Sequence, residues 1–213
     1  MTRTINSINE ITLDWLIETL SEVKEFQEDK IIDLNVKQIG EGIGQLGEFA
    51  LLETKRESGE ETNIFAKVQT ANEDLDNVAK DYQFYLREVR FYKNLAHKIN
   101  VKTPRPYYVE HNAETEKVVL LLEYMDGWYN PDQIKGASKQ EIDVAIEGLI
   151  PISTQFWGTI KEIDWVPDMK EDYMLKLVDD MVEYQPEFLK RFGYLMNDSR
   201  RGNLSKIVDY YPK

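Results

Sequence analysis

Three groups of residues in the N-terminal half could together hold a polyphosphate. Gly42-Ile43-Gly44-Gln45-Leu46-Gly47 spells G-x-G-x-x-G, and glycines at that spacing let backbone N–H groups approach phosphate oxygens with no Cβ in the way. Lys67 follows the apolar run Ile64-Phe65-Ala66, where its side chain can reach α- and β-phosphates. Glu88, in Arg87-Glu88-Val89-Arg90-Phe91-Tyr92, falls near an apolar stripe between Tyr85 and Tyr92. A carboxylate on a buried-side position is costly unless paired, which makes Lys67 its expected partner.

The elements that must position these residues follow from periodicity. A dinucleotide-binding unit needs a helix directly after its glycines. Here Glu48 to Thr54 reads as a strand, Ser58-Gly59 as a turn and Thr62 to Val68 as a second strand, so the glycines open a β-hairpin. Ile31 to Ile39 partly alternates and enters the glycine stretch as a first strand. Upstream, Thr12 is the expected N-cap of a short amphipathic helix carrying Leu13, Trp15, Leu16, Ile17 and Leu20. Between Asn72 and Ile99, apolar residues at three- and four-residue steps predict one long helix, ended by Thr103-Pro104-Arg105-Pro106. A second hairpin joins Tyr107 to Glu110 with Lys117 to Tyr124, and its continuous apolar run predicts a strand buried on both faces. That strand ends at Leu122-Glu123-Tyr124-Met125, where the Glu123 carbonyl and Met125 amide could meet the edge of an adenine with Leu122 behind the base.

After Gly127 the pattern turns helical. Ser138-Lys139-Gln140-Glu141 is a capping box opening a helix to about Trp157, and another helix is expected from about Glu171 to Phe192. The expected fold class is α+β: residues 1–125 an antiparallel sheet with a long packed helix, residues 126–213 mainly helical.

The 213 residues suffice for a real core, at 42% hydrophobic and 31% charged. A net charge of −13 repels phosphate backbones and argues against a nucleic-acid partner. An anionic ligand must then be held by a local device. Zero cysteines exclude disulfides and thiolate chemistry. No stretch approaches the length of a membrane span, and Met1 to Asn6 carries no apolar signal region, so no membrane partner and a cytoplasmic location are expected.

In this order, the glycine loop, strand lysine, helix glutamate and strand-end hinge resemble the N-terminal lobe of the protein-kinase-like fold. The segment Arg87 to Leu95 is similar to small-molecule kinases of the aminoglycoside phosphotransferase superfamily, in particular its ecdysteroid-kinase-like and choline-kinase-like branch. Phe156-Trp157-Gly158, Asp164-Trp165-Val166-Pro167 and Pro186 to Gly193 resemble that branch as well. The resemblance implies ATP with Mg²⁺ as cofactor and phosphoryl transfer to an alcohol. It implies that Gly42, Gly44 and Gly47 cover the phosphates, that Lys67 neutralises them and is held by Glu88, and that Leu122, Glu123 and Met125 receive the base.

The family's catalytic loop has a His-Gly-Asp followed by an Asn, and later a metal-binding Asp. Neither is recognisable here, so no catalytic or metal-ligating residue is assigned. Asp198 to Asn203 has the Asp-to-Asn spacing and Asp164 resembles the metal segment, but their order is reversed; Asp164 is expected to belong to the pre-proline segment and Asp198 to be solvated. His97 and His111 are expected at the surface. The expectation is therefore a chain that stops before the catalytic loop and is inactive, or a nucleotide-binding or interaction module without catalysis, with homodimerisation possible.

Overall fold

The structure, a computed structural model, describes residues 3–40, 46–129, 131–132, 134–167 and 171–210. It is α+β. By contacts it divides into two units, residues 1–159 and 160–213.

The first unit is built on five strands, β1 (Ile31–Ile39), β2 (Glu48–Arg56), β3 (Glu61–Val68), β4 (Pro106–His111) and β5 (Val118–Glu123), in the order β1-β2-β3-β5-β4 and antiparallel throughout. Side chains alternate across a strand, so residues opposed in the register share a face. Phe49, Lys67, Leu120 and Val109 therefore form one rung on one face, and Leu51, Phe65 and Leu122 the next. Ala50, Leu52, Ile64, Ala66, Val68, Val119 and Leu121 point to the other face and are fully covered.

That second face is closed by the N-terminal segment. Ile5, Ile8 and Ile11 cap it together with Leu16 and Leu20, at and just beyond α1 (Leu13–Thr19), and Phe26 of α2 (Lys24–Glu28). Thr12 caps α1, its hydroxyl accepting from the Trp15 amide at 3.2 Å. Burying so many branched side chains, each contributing roughly 1.5–3 kcal/mol, makes this segment part of the domain core.

On the first face, α3 (Glu73–Asp81) and α4 (Phe84–Asn94) bury Ala79, Tyr85 and Val89 against Val118, Leu120 and Leu122. β5 is thus covered on both sides, as its apolar run implied. The long helix expected over 72–99 is instead two. Gln83 adopts a left-handed conformation (φ 54°), and Tyr82 ends α3 with its amide bonded back to Val78. The break lets each helix turn its own apolar stripe to the sheet, which one straight rod could not do.

α5 (Lys139–Phe156) closes the first unit. Its capping box is formed: the Ser138 hydroxyl accepts from the Glu141 amide, and the Glu141 carboxylate accepts from the Ser138 amide at 2.7 Å. The second unit holds α6 (Asp172–Phe192) and α7 (Asp198–Tyr210). Among the described residues no helix is long and apolar enough to cross a membrane.

Candidate functional site

Lys67 is the next-to-last residue of β3, on the face that α4 covers. Glu88 sits in the second turn of α4, between Tyr85 and Tyr92 at helix spacings that share a side. The two meet: Lys67 Nζ lies 2.5 Å from Glu88 Oε2, with the side chains 15% and 31% exposed. This is a half-buried pair, less screened than a surface ion pair.

Its surroundings are apolar and aromatic. The Lys67 ammonium lies 5.8 Å from the centre of the Phe49 ring, which stacks on Phe65 at 5.6 Å. Burial pushes the Tyr92 hydroxyl up to about 12, with the Glu88 charge adding to it. Burial does the same to Tyr85, also to about 12, where the Thr70 amide opposes the rise and Asp76 reinforces it. Both phenols therefore stay neutral at ordinary pH. The nearest cation to compensate Glu88 is the Lys67 ammonium.

Gly47 abuts the pair from the glycine stretch. A Cβ built there would lie 2.9 Å from the Val68 carbonyl oxygen and 3.0 Å from Lys67 Cε. Only a residue without a side chain lets the backbone run this close over the end of β3. Leu46 joins the cluster beneath α4. Gly42 and Gly44 lie outside the described residues.

At the strand end, Leu122 is buried on the Lys67 face. Glu123 is held twice by Arg105: its amide donates to the Arg105 carbonyl at 2.7 Å, and its carboxylate accepts from the Arg105 amide at 3.1 Å. The Met125 carbonyl accepts from the Trp128 amide in a turn that carries Gly127 at φ 75°. Among the described residues no protein acceptor takes the Met125 amide. Leu122 belongs to the same face as Lys67, one rung away, while Glu123 and Met125 form the rim beyond it.

Asp198 opens α7 with its side chain 99% exposed, 2.8 Å from Arg201, and Asn203 lies on the same helix. The pair of residues with Asp-to-Asn spacing is thus helical and not a loop. Asp164 is exposed. Among the described residues no group of three His, Asp or Glu side chains is placed to hold a metal ion.

One expectation is corrected. His97 is exposed, but the His111 side chain is only 7% exposed and lies 2.9 Å from Glu116. The two residues stand at opposite ends of the β4–β5 turn, and folding that turn brings the imidazole inward onto the carboxylate.

Sequence reasoning missed a second set of contacts behind the site. The Glu48 carboxylate, directly after Gly47, accepts from the Ser7 hydroxyl at 2.8 Å and from the Ile8 amide at 3.1 Å. Buried Gln69, directly after Val68, donates to the carbonyls of Ile5 and Asn6 at 2.8 and 2.9 Å and accepts from the Val118 amide at 3.1 Å. The three-residue spacing of Ile5, Ile8 and Ile11 was the available signal for a covering segment.

No model of a known protein family matches the chain, and no curated protein matches it.

Proposed function

We propose that this chain is a nucleotide-binding protein of the kinase-like small-molecule phosphotransferase type, with ATP as ligand. The observation that carries the reading is the Lys67–Glu88 ion pair, 2.5 Å apart and half-buried, with Gly47 packed against Lys67. A lysine fixed at the end of a sheet by a helix carboxylate is a positioned cation, and phosphoryl transfer rests on positioning and charge neutralisation. An ATP triphosphate would take up the Lys67 ammonium and the backbone amides around Gly47, where no Cβ intrudes. The half-exposed Phe49, Leu51 and Phe65 on the same face offer apolar surface to the base, with Leu122 behind it. Glu88 holds Lys67 extended and keeps its charge in place. When bound, Mg²⁺-ATP would supply the transferable phosphoryl group. No described residues are arranged to ligate the metal, so no step is assigned to it.

The companion proposal is that this chain binds and does not turn over. Asp198 and Asn203 sit on a helix, with Asp198 engaged by Arg201, and Asp164 is solvated. No carboxylate among them is set to accept a hydroxyl proton. The chain then acts as a nucleotide-dependent module, the second reading of the same site.

Two measurements test these readings together. In a thermal-shift experiment ATP, with or without Mg²⁺, raises the melting temperature in a concentration-dependent way, as binding to the folded state requires. Mg²⁺-ATP with a panel of alcohols yields no phosphorylated product. Sustained transfer would show that a catalytic carboxylate has been overlooked, and a melting curve indifferent to ATP would remove the nucleotide reading.

A further inference from the structure

The end of the sheet at the Lys67 site is gripped from behind. Glu48 and Val68 form the last rung of the β2–β3 ladder, one rung beyond Phe49 and Lys67. Side chains alternate, so Glu48 points to the face opposite Lys67, where residues 5–8 run. There its carboxylate accepts two hydrogen bonds from Ser7 and Ile8. Gln69, just past the same rung on β3, has three hydrogen bonds with Ile5, Asn6 and Val118. Further ties fix the segment: the Lys117 ammonium donates to the Asn6 side chain, the Arg3 guanidinium donates to the Thr19 carbonyl at 3.1 Å, and the Trp15 indole donates to the Arg3 carbonyl at 3.2 Å.

We infer that residues 5–8 are a positioning strap for the phosphate-binding backbone at Gly47, with Glu48 as the residue through which they act. This rests on the nucleotide reading of the site. Gly47 passes the Val68 carbonyl with no room for a Cβ, so the position of its amide depends on where Glu48 is anchored. A charged acceptor with two donors, one a main-chain amide, fixes that anchor more firmly than a neutral contact would. Glu48 never faces the phosphates. It sets the height of Gly47 over Lys67, and Gln69 sets the matching end of β3.

The test uses the whole chain with ATP and adenosine as separate probes, together with hydrogen exchange of the backbone amides at 46–49. Wild type, Glu48→Ala, Glu48→Gln and Ser7→Asp are compared. Ser7→Asp retains an acceptor for the Asn9 amide but sets a second carboxylate against Glu48. The positioning role predicts that Glu48→Ala and Ser7→Asp bind ATP about tenfold more weakly, roughly one charged hydrogen bond's worth. Adenosine binding stays within about twofold of wild type, exchange at 46–49 quickens, and Glu48→Gln, which keeps an acceptor but not the charge, recovers part of the ATP affinity. Equal losses for ATP and adenosine would make the strap a general support and overturn the role. Unchanged ATP binding in both Glu48→Ala and Ser7→Asp, with wild type binding normally, would overturn the strap alone. A wild type that binds no ATP would overturn the nucleotide reading, and the positioning role with it.

Discussion

Glu88 fixes the Lys67 ammonium 2.5 Å from its carboxylate in a half-buried pair. Removing either charge leaves the other half-buried without its partner, a change that costs more than the net value of an intact pair. Lys67→Ala is expected to abolish the ATP-dependent thermal shift while Glu88 loses its cation. Glu88→Gln should retain part of the shift, because the amide oxygen still accepts from the ammonium; full retention would show that Lys67 is held by something else. Gly47 carries a different constraint. Its φ is not left-handed, so the objection to a side chain is one of space: Gly47→Ala must displace the Val68 carbonyl or Lys67. A loss of about 1–3 kcal/mol in chemical denaturation is expected from such overpacking, together with weaker ATP binding. A variant as stable as wild type would show that the backbone at Gly47 can shift without cost.

At the scale of elements, two features carry their own predictions. The α3–α4 break places Gln83 at φ 54°, a conformation that penalises any residue with a Cβ. Gln83→Gly should therefore raise stability by about 0.5–1 kcal/mol; a loss would mean that the glutamine side chain holds the break. α2 is tied to the sheet by Glu25, which pairs with Arg56 and, at 2.7 Å, with Arg105. Burial would raise the Glu25 carboxyl, but hydrogen bonds from Arg105 and Arg56 and their charges outweigh it and hold the group below its ordinary value. A lowered native pKa gives stability that is fully present above the unfolded value of 4.5 and is lost as pH falls through the native one. The melting temperature should drop on acidification below that point, and Glu25→Gln should flatten the decline. An equally steep decline in the variant would assign it to other carboxylates.

These elements also show what was legible in the sequence. Partial alternation in β1, the Ser58-Gly59 turn between β2 and β3, and the continuous apolar run of β5 made the strands and both hairpins legible, because each is a local signal. The Ser138 capping box gave the start of α5 for the same reason. The break at Gln83 was hidden, since nothing local marks a glutamine as left-handed and the apolar period runs through it. The strap over 5–8 was also hidden, because its hydrogen bonds to Glu48 and Gln69 span some forty to sixty positions of the chain. Lys67 and Glu88 could be named as a pair because an unpaired carboxylate on an apolar stripe is expensive wherever the stripe packs.

On the scale of the whole molecule, the acidic surface and the cationic seat stand in contrast: a net charge of −13 with one lysine fixed inside an apolar face. The first unit also exposes a run of apolar side chains on α5, with Ile146, Leu149 and Ile150 each more than half exposed, and Trp157 just beyond its end at 84%. Contiguous apolar surface of this kind promotes association. Sedimentation velocity should show self-association that rises with concentration and is reduced by Ile146→Lys with Leu149→Lys; a monomer at every concentration would show that the helix tolerates water alone. The central claim, that Lys67 seats a triphosphate, is tested most directly by calorimetric titration of ATP into the wild-type chain and into Lys67→Ala. Saturable one-to-one binding by the wild type, lost in the variant while its folding is retained, is the predicted result. No binding by the wild type, or undiminished binding by Lys67→Ala, would contradict it.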